Sequence, residues 1–461
     1  MSLPVKVLTF KVTRKNPELL RPAKPTPHEF KSLSDIDDQE GLRFHAPFMQ
    51  FYRKSPSMEG KDPVGFIRAA VSRALVYYYP LAGRLREVTG RKLVVECTGE
   101  GVLFIEADAD VSLAEFGVSP QPPFNCFEEL LYDVPDSGPG SGGVTGCPLI
   151  LIQVTRLKCG GFIFGIRFSH TIADGKGLVQ FMSAIGELAL GAHCPSILQV
   201  WGRHLLSARD PPRVTCVHHE YDTLPGGDSI PVHNLVQRSF FFGPAEILAL
   251  RSGLNYRCST FDILTACLWR CRTAAVSTDP RQVFRVGCMV NCRKSFDPPL
   301  PEDYYGNVVV WPAAVSTAGD LSDNPLEYAV ELVKRAKLEA TEEYVRSVAD
   351  RMVKSGRPHY SMVRTLIVSD LTALGIEKVD YGWGHPIYGG NPVPGNAGFP
   401  AVSFYTPWKN SEGQKGILVP MALPKNSMEV FSNELKVLVK GNGDDLEGAG
   451  QDTKAFIKSE L

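Results

Sequence analysis

A histidine and a carboxylate lie four positions apart in the segment Ser169-His170-Thr171-Ile172-Ala173-Asp174-Gly175. The ordinary pKa of histidine lies near neutrality, so His170 is able to take a proton from an alcohol and later return it to a leaving group. Such chemistry needs no metal ion. The spacing alone also fits a histidine that only caps a turn, and a Ser-His-Asp hydrolase in which Asp174 orients the imidazole.

The sequence around this segment predicts a strand before it and a helix after it. A β-hairpin is expected from strands at Leu149 to Thr155 and Phe162 to Phe168, with a glycine-containing turn between them. Apolar residues then recur at helical spacing from about Leu178 to Leu190, and Gly191 is suited to a left-handed helix end. His170 is therefore expected on a strand-to-helix loop, where catalytic side chains are often presented.

Other elements of the predicted structure follow from capping and turn signals. Asp62 predicts the start of a helix from about Pro63 to Tyr79, and Ser259 with Asp262 predicts another near Thr260. Three further patterns indicate a second hairpin, a buried strand and a long helical stretch, at Leu93–Val95 with Val102–Ile105, at Val286–Asn291 and at Asn324–Met352.

Length and composition place the chain among ordinary globular proteins. Its 461 residues suggest two domains, and 44% hydrophobic with 21% charged residues allow a large core. The proline-rich stretch after the predicted helix divides the chain into a first domain, a linker and a second domain, at residues 1–195, 196–228 and 229–461.

Charge and cysteine content exclude several classes of function. Forty-nine Lys and Arg balance fifty Asp and Glu, so no net field attracts nucleic acid. No signal peptide and no apolar run long enough for a membrane span are visible, which predicts a cytoplasmic protein. The eleven cysteines lack the spacing of zinc ligands, and we expect no metal site.

Three more motifs accompany the histidine segment, at Asp380-Tyr381-Gly382-Trp383-Gly384, Tyr304-Tyr305-Gly306-Asn307 and Val290-Asn291-Cys292-Arg293. With them the chain resembles the BAHD acyltransferase family, whose members carry His-x-x-x-Asp-Gly in the middle and Asp-Phe-Gly-Trp-Gly near the C-terminus. The resemblance runs from about Val5 to Lys436. Tyr381 replaces the usual phenylalanine, and a hydroxyl added to a buried ring needs a hydrogen-bond partner.

The resemblance implies an α/β fold of two similar domains like chloramphenicol acetyltransferase, each a mixed β-sheet with helices, with the active-site channel between them. Coenzyme A would enter from one side and the alcohol from the other, so that both reach His170. It further implies a monomer with no tightly bound cofactor, in which acyl-CoA is a co-substrate.

The resemblance also implies roles for individual residues. His170 would act as general base in a direct transfer, and Asp174 would turn away from the site to pair with Arg293. Trp383 is a candidate donor to the oxyanion, although a packing role is equally compatible. Gly175 and Asp380 would support the site, and coenzyme A would contact Ser259, Thr260, Ser369 and Asp370. Ser259 and Thr260 are equally compatible with helix capping.

Within the family, the chain resembles members that benzoylate benzyl alcohol and members that form volatile esters in fruit. Benzoyl-CoA with benzyl alcohol is the first predicted substrate pair, and acetyl-CoA with an aliphatic alcohol is the second. An acyl-CoA hydrolase and a noncatalytic binding protein are the alternatives. The C-terminal Ser459-Glu460-Leu461 resembles a peroxisomal signal, which is an alternative to the cytoplasm. His218, His219, Glu220 and His385 are expected on solvated loops.

Overall fold

Two mixed β-sheets, each covered by helices, form the framework of the protein. The computed structural model describes residues 7–134, 143–225, 234–395 and 401–440. The helices of the described residues are α1 to α9, at Pro63–Tyr77, Phe127–Leu130, Gly175–Ala189, Pro244–Ser252, Thr260–Val276, Ala318–Asp323, Leu326–Leu338, Glu342–Lys354 and Lys425–Lys440. Their strands are β1 to β18, at Val12–Arg14, Glu18–Leu20, Phe30–Ser32, His45–Tyr52, Arg84–Glu87, Leu93–Glu96, Val102–Ala109, Ile150–Leu157, Phe162–Ser169, Leu235–Phe242, Val283–Cys288, Val290–Asn291, Val309–Val310, Ala313–Thr317, Thr365–Asp370, Tyr388–Gly390, Val402–Lys409 and Lys415–Pro424.

The first sheet has the strand order β1-β7-β8-β9-β4-β16, with β2 also paired to β7. The predicted hairpin β8–β9 is confirmed as an antiparallel pair, whereas β7 and β8 run parallel. The alternate residues of β9, which are Phe162, Phe164, Ile166 and Phe168, all join the core formed with α1 and α3. This burial follows from the two-residue period of a strand, since one face is apolar throughout.

The second sheet has the order β10-β18-β17-β15-β11-β14 and is covered by α4, α5, α7 and α9. The pairs β11–β15 and β15–β17 are parallel, and β10–β18, β17–β18 and β11–β14 are antiparallel. The capped helix predicted at Thr260 is confirmed as α5, and eleven of its seventeen residues are buried. Two mixed sheets with helices confirm the predicted α/β class.

The two sheets share one strand exchange. The short β16 comes from the second half of the chain, yet it pairs antiparallel with β4 of the first sheet, where Gly389 lies opposite Gln50. The sequence offered no sign of this exchange, because three residues are too few to carry a period. The division into residues 1–195, 196–228 and 229–461 stays a prediction.

One predicted element is wrong, and another consists of two helices. The expected hairpin of Leu93–Val95 with Val102–Ile105 does not form, since β6 pairs with β3 and β5 while β7 enters the first sheet. Gly101 has a φ of 103°, and its N–H donates to the carbonyl oxygen of Ala82. The chain turns there from a separate three-stranded sheet, β3-β6-β5, into the first sheet. The long helical stretch predicted at Asn324–Met352 is confirmed as α7 and α8, and these are separate helices because Thr341 caps the second by accepting from the N–H of Tyr344.

The predicted helix after Asp62 is confirmed as α1. Asp62 accepts from the N–H groups of Val64 and Gly65, and the helix ends at Tyr77, two residues earlier than expected. Within the part of the chain that the structure describes, no helix combines the length and apolarity needed to cross a membrane. The predicted C-terminal signal at Ser459–Leu461 lies outside the described residues.

Candidate active site

His170 follows the last residue of β9 and precedes α3, as the sequence predicted. Its backbone N–H donates to the carbonyl oxygen of Phe44 on the chain leading into β4, at 2.9 Å. The two residues that flank it, Ser169 and Thr171, are hydrogen-bonded to each other through their hydroxyls at 2.8 Å. The backbone of His170 therefore ties the loop to the chain that enters β4, and the hydroxyl pair closes the loop around His170, which itself remains partly accessible.

Asp174 holds the other end of this loop. Its carboxylate caps α3 by accepting from the N–H of Gly177 at 3.0 Å. It also forms a two-point ion pair with Arg293, whose Nη1 lies 2.7 Å from Oδ2 and Nη2 3.0 Å from Oδ1. The predicted pairing with Arg293 is confirmed. Burial opposes ionisation of Asp174, but the Arg293 guanidinium and the N–H groups of Gly177 and Val308 together outweigh it and hold the carboxyl pKa below its ordinary value.

A cavity of about 140 Å³ opens beside His170. Its wall is mostly apolar and comes from both sheets, with Leu42, Ala46, Pro47, Phe48, Phe168, Leu178, Val179, Met289, Val309, Trp311, Leu371, Leu374, Ile376 and Phe404. The polar and charged residues of the wall are His170, Asp174, Lys176, Asn291, Asn307, Ser369, Asp370 and Asn391. A mostly apolar cavity with a few polar groups around a histidine is suited to a small organic substrate.

The surroundings of the imidazole favour its uncharged form. Burial lowers the pKa of His170, while its own backbone carbonyl, Asp174, Asn307 and Asp37 partly oppose that shift. The rings of Phe44 and Phe168 lie 5.4 and 5.7 Å from the imidazole, measured between ring centroids. Nδ1 is buried without a partner in another residue. An uncharged imidazole near neutral pH is the form that accepts a proton.

Two glycines let α3 approach the remaining motifs closely. A methyl group at Gly177 would collide with the carbonyl oxygen of Tyr305, and one at Gly186 would collide with that of Asp380. Asp380 in turn accepts from the N–H groups of Gly382 and Gly384, at 2.7 and 2.9 Å. The motif that begins at Asp380 therefore forms a tight loop against the helix that Asp174 caps.

The remaining two residues of this motif are buried. The hydroxyl of Tyr381 donates to Oε1 of Gln50 at 3.2 Å, so the expected partner for this extra hydroxyl is confirmed. Trp383 packs edge to face against Phe66 and Phe162, with ring centroids 5.8 and 5.4 Å away. It is not among the described residues that line the cavity. This placement supports the packing interpretation, and the donor role stays a prediction.

The four residues predicted to contact coenzyme A separate into two pairs. Ser369 and Asp370 end β15 and line the cavity beside His170. Ser259 and Thr260 lie at the start of α5 and are not among the cavity residues of the described chain. Ser259 forms the predicted capping box with Asp262, and Thr260 accepts from Arg251 at 2.9 Å.

The expectation that His218 and Glu220 lie on a solvated loop is wrong. Both are buried, and Nδ1 of His218 lies 3.2 Å from Glu220 while its Nε2 lies 2.8 Å from the hydroxyl of Ser347. Tyr344 donates to Glu220 at 2.8 Å. The four side chains satisfy one another, a tertiary arrangement that the sequence did not reveal. His385 is exposed as expected.

Sequence reasoning missed three buried polar residues beside the histidine loop. Asn307 belongs to a quoted motif but had no assigned role, and its amide donates to the carbonyl oxygen of His170 at 2.8 Å. Asp37 accepts from Asn307, and Arg203 donates to the carbonyl oxygen of Ile172 at 2.7 Å. The only signal in the sequence was the presence of Asn307 in a quoted motif, since Arg203 lies in the predicted linker.

Comparison with known proteins gives a consistent result. The sequence model of the Transferase family matches residues 10–438. The chain is 58% identical to benzyl alcohol O-benzoyltransferase from Nicotiana tabacum over 94% of this chain and 95% of that protein. It is 51% identical to alcohol acyltransferase 1 from Actinidia chinensis var. chinensis, over 96% of each chain.

Solved structures share the fold. The crystal structure of TRI101 from F. graminearum, complexed with coenzyme A and deoxynivalenol, has a TM-score of 0.69 at 15% identity. The match covers 87% of this chain and 96% of that one. Two mixed sheets covered by helices are thus a fold already seen in solved proteins.

Proposed function

Because this chain belongs to the Transferase family, the BAHD acyltransferases, we propose that it transfers an acyl group from coenzyme A to a small alcohol, with benzoyl-CoA and benzyl alcohol as substrates. The resemblance noted in the motifs is thereby confirmed, and the chain is an acyltransferase. The choice of the benzoyl donor and the benzyl acceptor rests on the relative that is 58% identical over nearly the whole chain.

The observation that carries the proposal is the position of His170 on the wall of an apolar cavity. Since Nδ1 is buried, Nε2 is the nitrogen left to meet a substrate. The cavity volume of about 140 Å³ is close to that of an engineered cavity of about 150 Å³ that binds benzene. One aromatic ring therefore fits the space beside the histidine, and benzyl alcohol carries one ring.

The transfer proceeds through a single tetrahedral intermediate. Nε2 of His170 takes the proton of the alcohol as the alcohol oxygen attacks the thioester carbonyl carbon, and the carbonyl oxygen becomes an oxyanion. The oxyanion then collapses, the carbon–sulfur bond breaks, and the imidazolium returns the proton to the sulfur of coenzyme A. The products are the ester and the free thiol. No acyl-enzyme forms, because the alcohol attacks the thioester itself.

Coenzyme A is a co-substrate in this proposal, and no tightly bound cofactor takes part. Ser369 and Asp370 line the cavity and are proposed to contact the end of the carrier that bears the thioester. Ser259 and Thr260 are proposed to contact a more distant part of the carrier. In support, the backbone N–H groups at the start of a helix favour anionic groups such as phosphates. The positively charged Arg251 is also close by, since it donates to the hydroxyl of Thr260.

Several features of the proposal rest on the sequence. We propose a cytoplasmic monomer that binds no nucleic acid, with two domains at residues 1–195 and 229–461 joined by a linker at 196–228. The peroxisome is the alternative location, through Ser459-Glu460-Leu461. Trp383 remains the proposed oxyanion donor on family resemblance, and Gly175, Arg293 and Asp380 support the site.

A second candidate is transfer from acetyl-CoA to an aliphatic alcohol. It is favoured by the relative from Actinidia chinensis var. chinensis, an alcohol acyltransferase 51% identical to this chain. Both candidates use the same histidine and differ only in what fills the cavity. A hydrolase would use the same base to activate water and would release a free acid.

The test is ester formation by the purified protein from a grid of acyl-CoA donors and alcohols, with His170→Ala measured alongside. Loss of a general base is expected to slow ester formation about 10²- to 10⁴-fold. Benzyl benzoate from the wild type and not from the variant supports the proposal. Thioester loss without ester identifies a hydrolase, and benzyl acetate or aliphatic esters as the main products identify the second candidate.

A further inference from the structure

A second buried network lies beside the histidine loop, apart from the pair of Asp174 with Arg293. It consists of Asp37, Arg203 and Asn307, which are at most 1% exposed. Oδ1 of Asp37 accepts from the backbone N–H and from the amide of Asn307, each at 2.9 Å, and from Arg203 at 3.3 Å. Asp37 therefore fixes both the backbone and the side chain of Asn307.

Asn307 and Arg203 both donate to backbone carbonyls of the histidine loop. The amide nitrogen of Asn307 donates to the oxygen of His170 at 2.8 Å, and Arg203 donates to that of Ile172 at 2.7 Å. Arg203 is itself packed by three aromatic rings, from Trp201, Tyr304 and Tyr305. The loop is thus fixed on one side by Arg293 through Asp174, and on the other by this network.

The orientation of the Asn307 amide follows from its partners. Asp37 Oδ1 and the carbonyl oxygen of His170 both accept, so the amide NH₂ group must face them. Its oxygen Oδ1 is then left buried without a partner, and so is Nδ1 of His170. Buried polar atoms are nearly always hydrogen-bonded, and the Asn307 side chain already bonds the backbone oxygen of His170 and acts on its imidazole, so the two unpaired atoms call for a common explanation.

The two atoms complement each other in one tautomer only. An imidazole with its proton on Nδ1 supplies the donor that the amide oxygen lacks, and it leaves the lone pair on Nε2. We propose that Asn307, held by Asp37, is a positioning residue that fixes the backbone of His170 and favours the tautomer with Nδ1 protonated. This inference rests on the proposed role of His170 as the base.

Other charged groups also face His170 and must be held constant in a test. Asp174 and Asp37 act on the imidazole electrostatically. Arg293 and Arg203 lie behind these carboxylates, Lys176 and Asp370 line the same cavity, and His45 on β4 is hydrogen-bonded to Pro148. A substitution at Asn307 that adds no charge leaves all of them in place.

The experiment compares Asn307→Leu with Asn391→Leu. Leucine keeps the branching of asparagine at Cγ and removes the amide. Asn391 is a buried asparagine of the same cavity wall whose amide donates to Pro47 at 3.3 Å. Asn307→Leu is expected to lower kcat about 10- to 100-fold, the range found when the partner that orients a metal-bound histidine is removed, with little change in KM. Its acid limb of kcat/KM moves to lower pH, because Asn307 raises the pKa of His170.

Asn391→Leu is expected to leave the acid limb at its wild-type position. A wild-type kcat and an unmoved limb in Asn307→Leu would overturn the inference, as would an equal shift in both variants. If Asn307→Leu fails to fold, nitrogen NMR of the imidazoles in the wild type, assigned by comparison with His170→Gln, decides. An Nδ1-protonated His170 is expected, and an Nε2-protonated ring overturns the inference. This readout needs no substrate, so it stays separate from a failure of the proposed function.

Discussion

Arg293 meets Asp174 at two points, 2.7 and 3.0 Å, and turns that carboxylate away from a role beside the imidazole. Asp174 also accepts hydrogen bonds from the N–H groups of Gly177 and Val308. The hydrogen bonds to Arg293 and Val308 thus tie the histidine loop to the second half of the chain, while the bond to Gly177 caps α3. The aspartate four positions after His170 therefore anchors the loop and does not orient the imidazole.

Asp174→Ala is expected to lower the free energy of unfolding by about 3 to 5 kcal/mol, because it leaves Arg293 buried without its counter-charge. Urea unfolding measures this. The control is Asp279→Ala, which removes an exposed partner of Arg281 and should change the unfolding free energy far less. Equal losses in the two variants would show that the buried pair contributes no more than an exposed one.

The pH dependence of the rate follows from the direction of the His170 shift. Burial lowers the pKa of this imidazole, so it stays uncharged below the ordinary histidine value of about 6.5. We expect kcat/KM to hold as the pH falls from 8 to about 6.5 and to decline only at lower pH. Rates of thioester consumption across this range provide the measurement. A decline that begins above pH 6.5 would contradict the shift.

The same shift contributes to stability. The unfolded chain binds a proton at this histidine more readily than the folded one, so stability should decrease as the pH falls below about 6.5. The contribution is isolated by comparing unfolding of the wild type and of His170→Gln at several pH values. The difference between the two proteins should move in favour of the variant on acidification; a constant difference would exclude this contribution.

Gly177→Ala is expected to prevent folding or destabilise the protein severely, since the added methyl group meets the backbone oxygen of Tyr305. Gly175→Ala is the matched comparison on the same helix. There the methyl group lies 2.8 Å from the end of the Leu374 side chain, which is able to move. Melting temperature and soluble yield should separate the two variants. A normally stable Gly177→Ala protein would show that α3 does not need this close approach.

Ala46→Val should change the choice of alcohol. Ala46 lines the cavity and lies opposite Phe168 in the pairing of β4 with β9, so two added carbons reduce the space beside His170. One methylene changes discrimination by about 1 to 3 kcal/mol, so kcat/KM for benzyl alcohol should fall by about 10-fold or more relative to that for ethanol. Competition between the two alcohols measures the ratio. An unchanged ratio would move the acceptor away from Ala46.

Tyr381→Phe should lower the unfolding free energy by about 1 to 3 kcal/mol with little effect on the rate. The substitution leaves Oε1 of Gln50 buried without the hydroxyl that donates to it. Chemical unfolding and ester formation, measured on the same preparation, test both parts. A large loss of rate with full stability would place the hydroxyl in the chemistry.

Much of the local structure could be predicted because it depends on neighbours in the chain. The hairpin before His170 follows from alternating apolar residues, and the caps at Asp62 and Ser259 follow from side chains that reach their own helix. The hairpin predicted at Leu93–Ile105 did not form, and the helical stretch at Asn324–Met352 was divided into two helices, for the opposite reason. Their periods were right, but pairing partners and a cap at Thr341 decided where each element went.

The sequence by itself determined the family, the histidine that could carry the chemistry and the partner of Asp174, since each belongs to a short motif with fixed spacing. Only the tertiary structure decided which side chains surround that histidine. Ser369 reached the cavity whereas Ser259 did not, and Asn307 bonds Asp37 across 270 positions of the chain. Such contacts leave no period or motif in the sequence, because burial and hydrogen bonding select them only after the two sheets have come together.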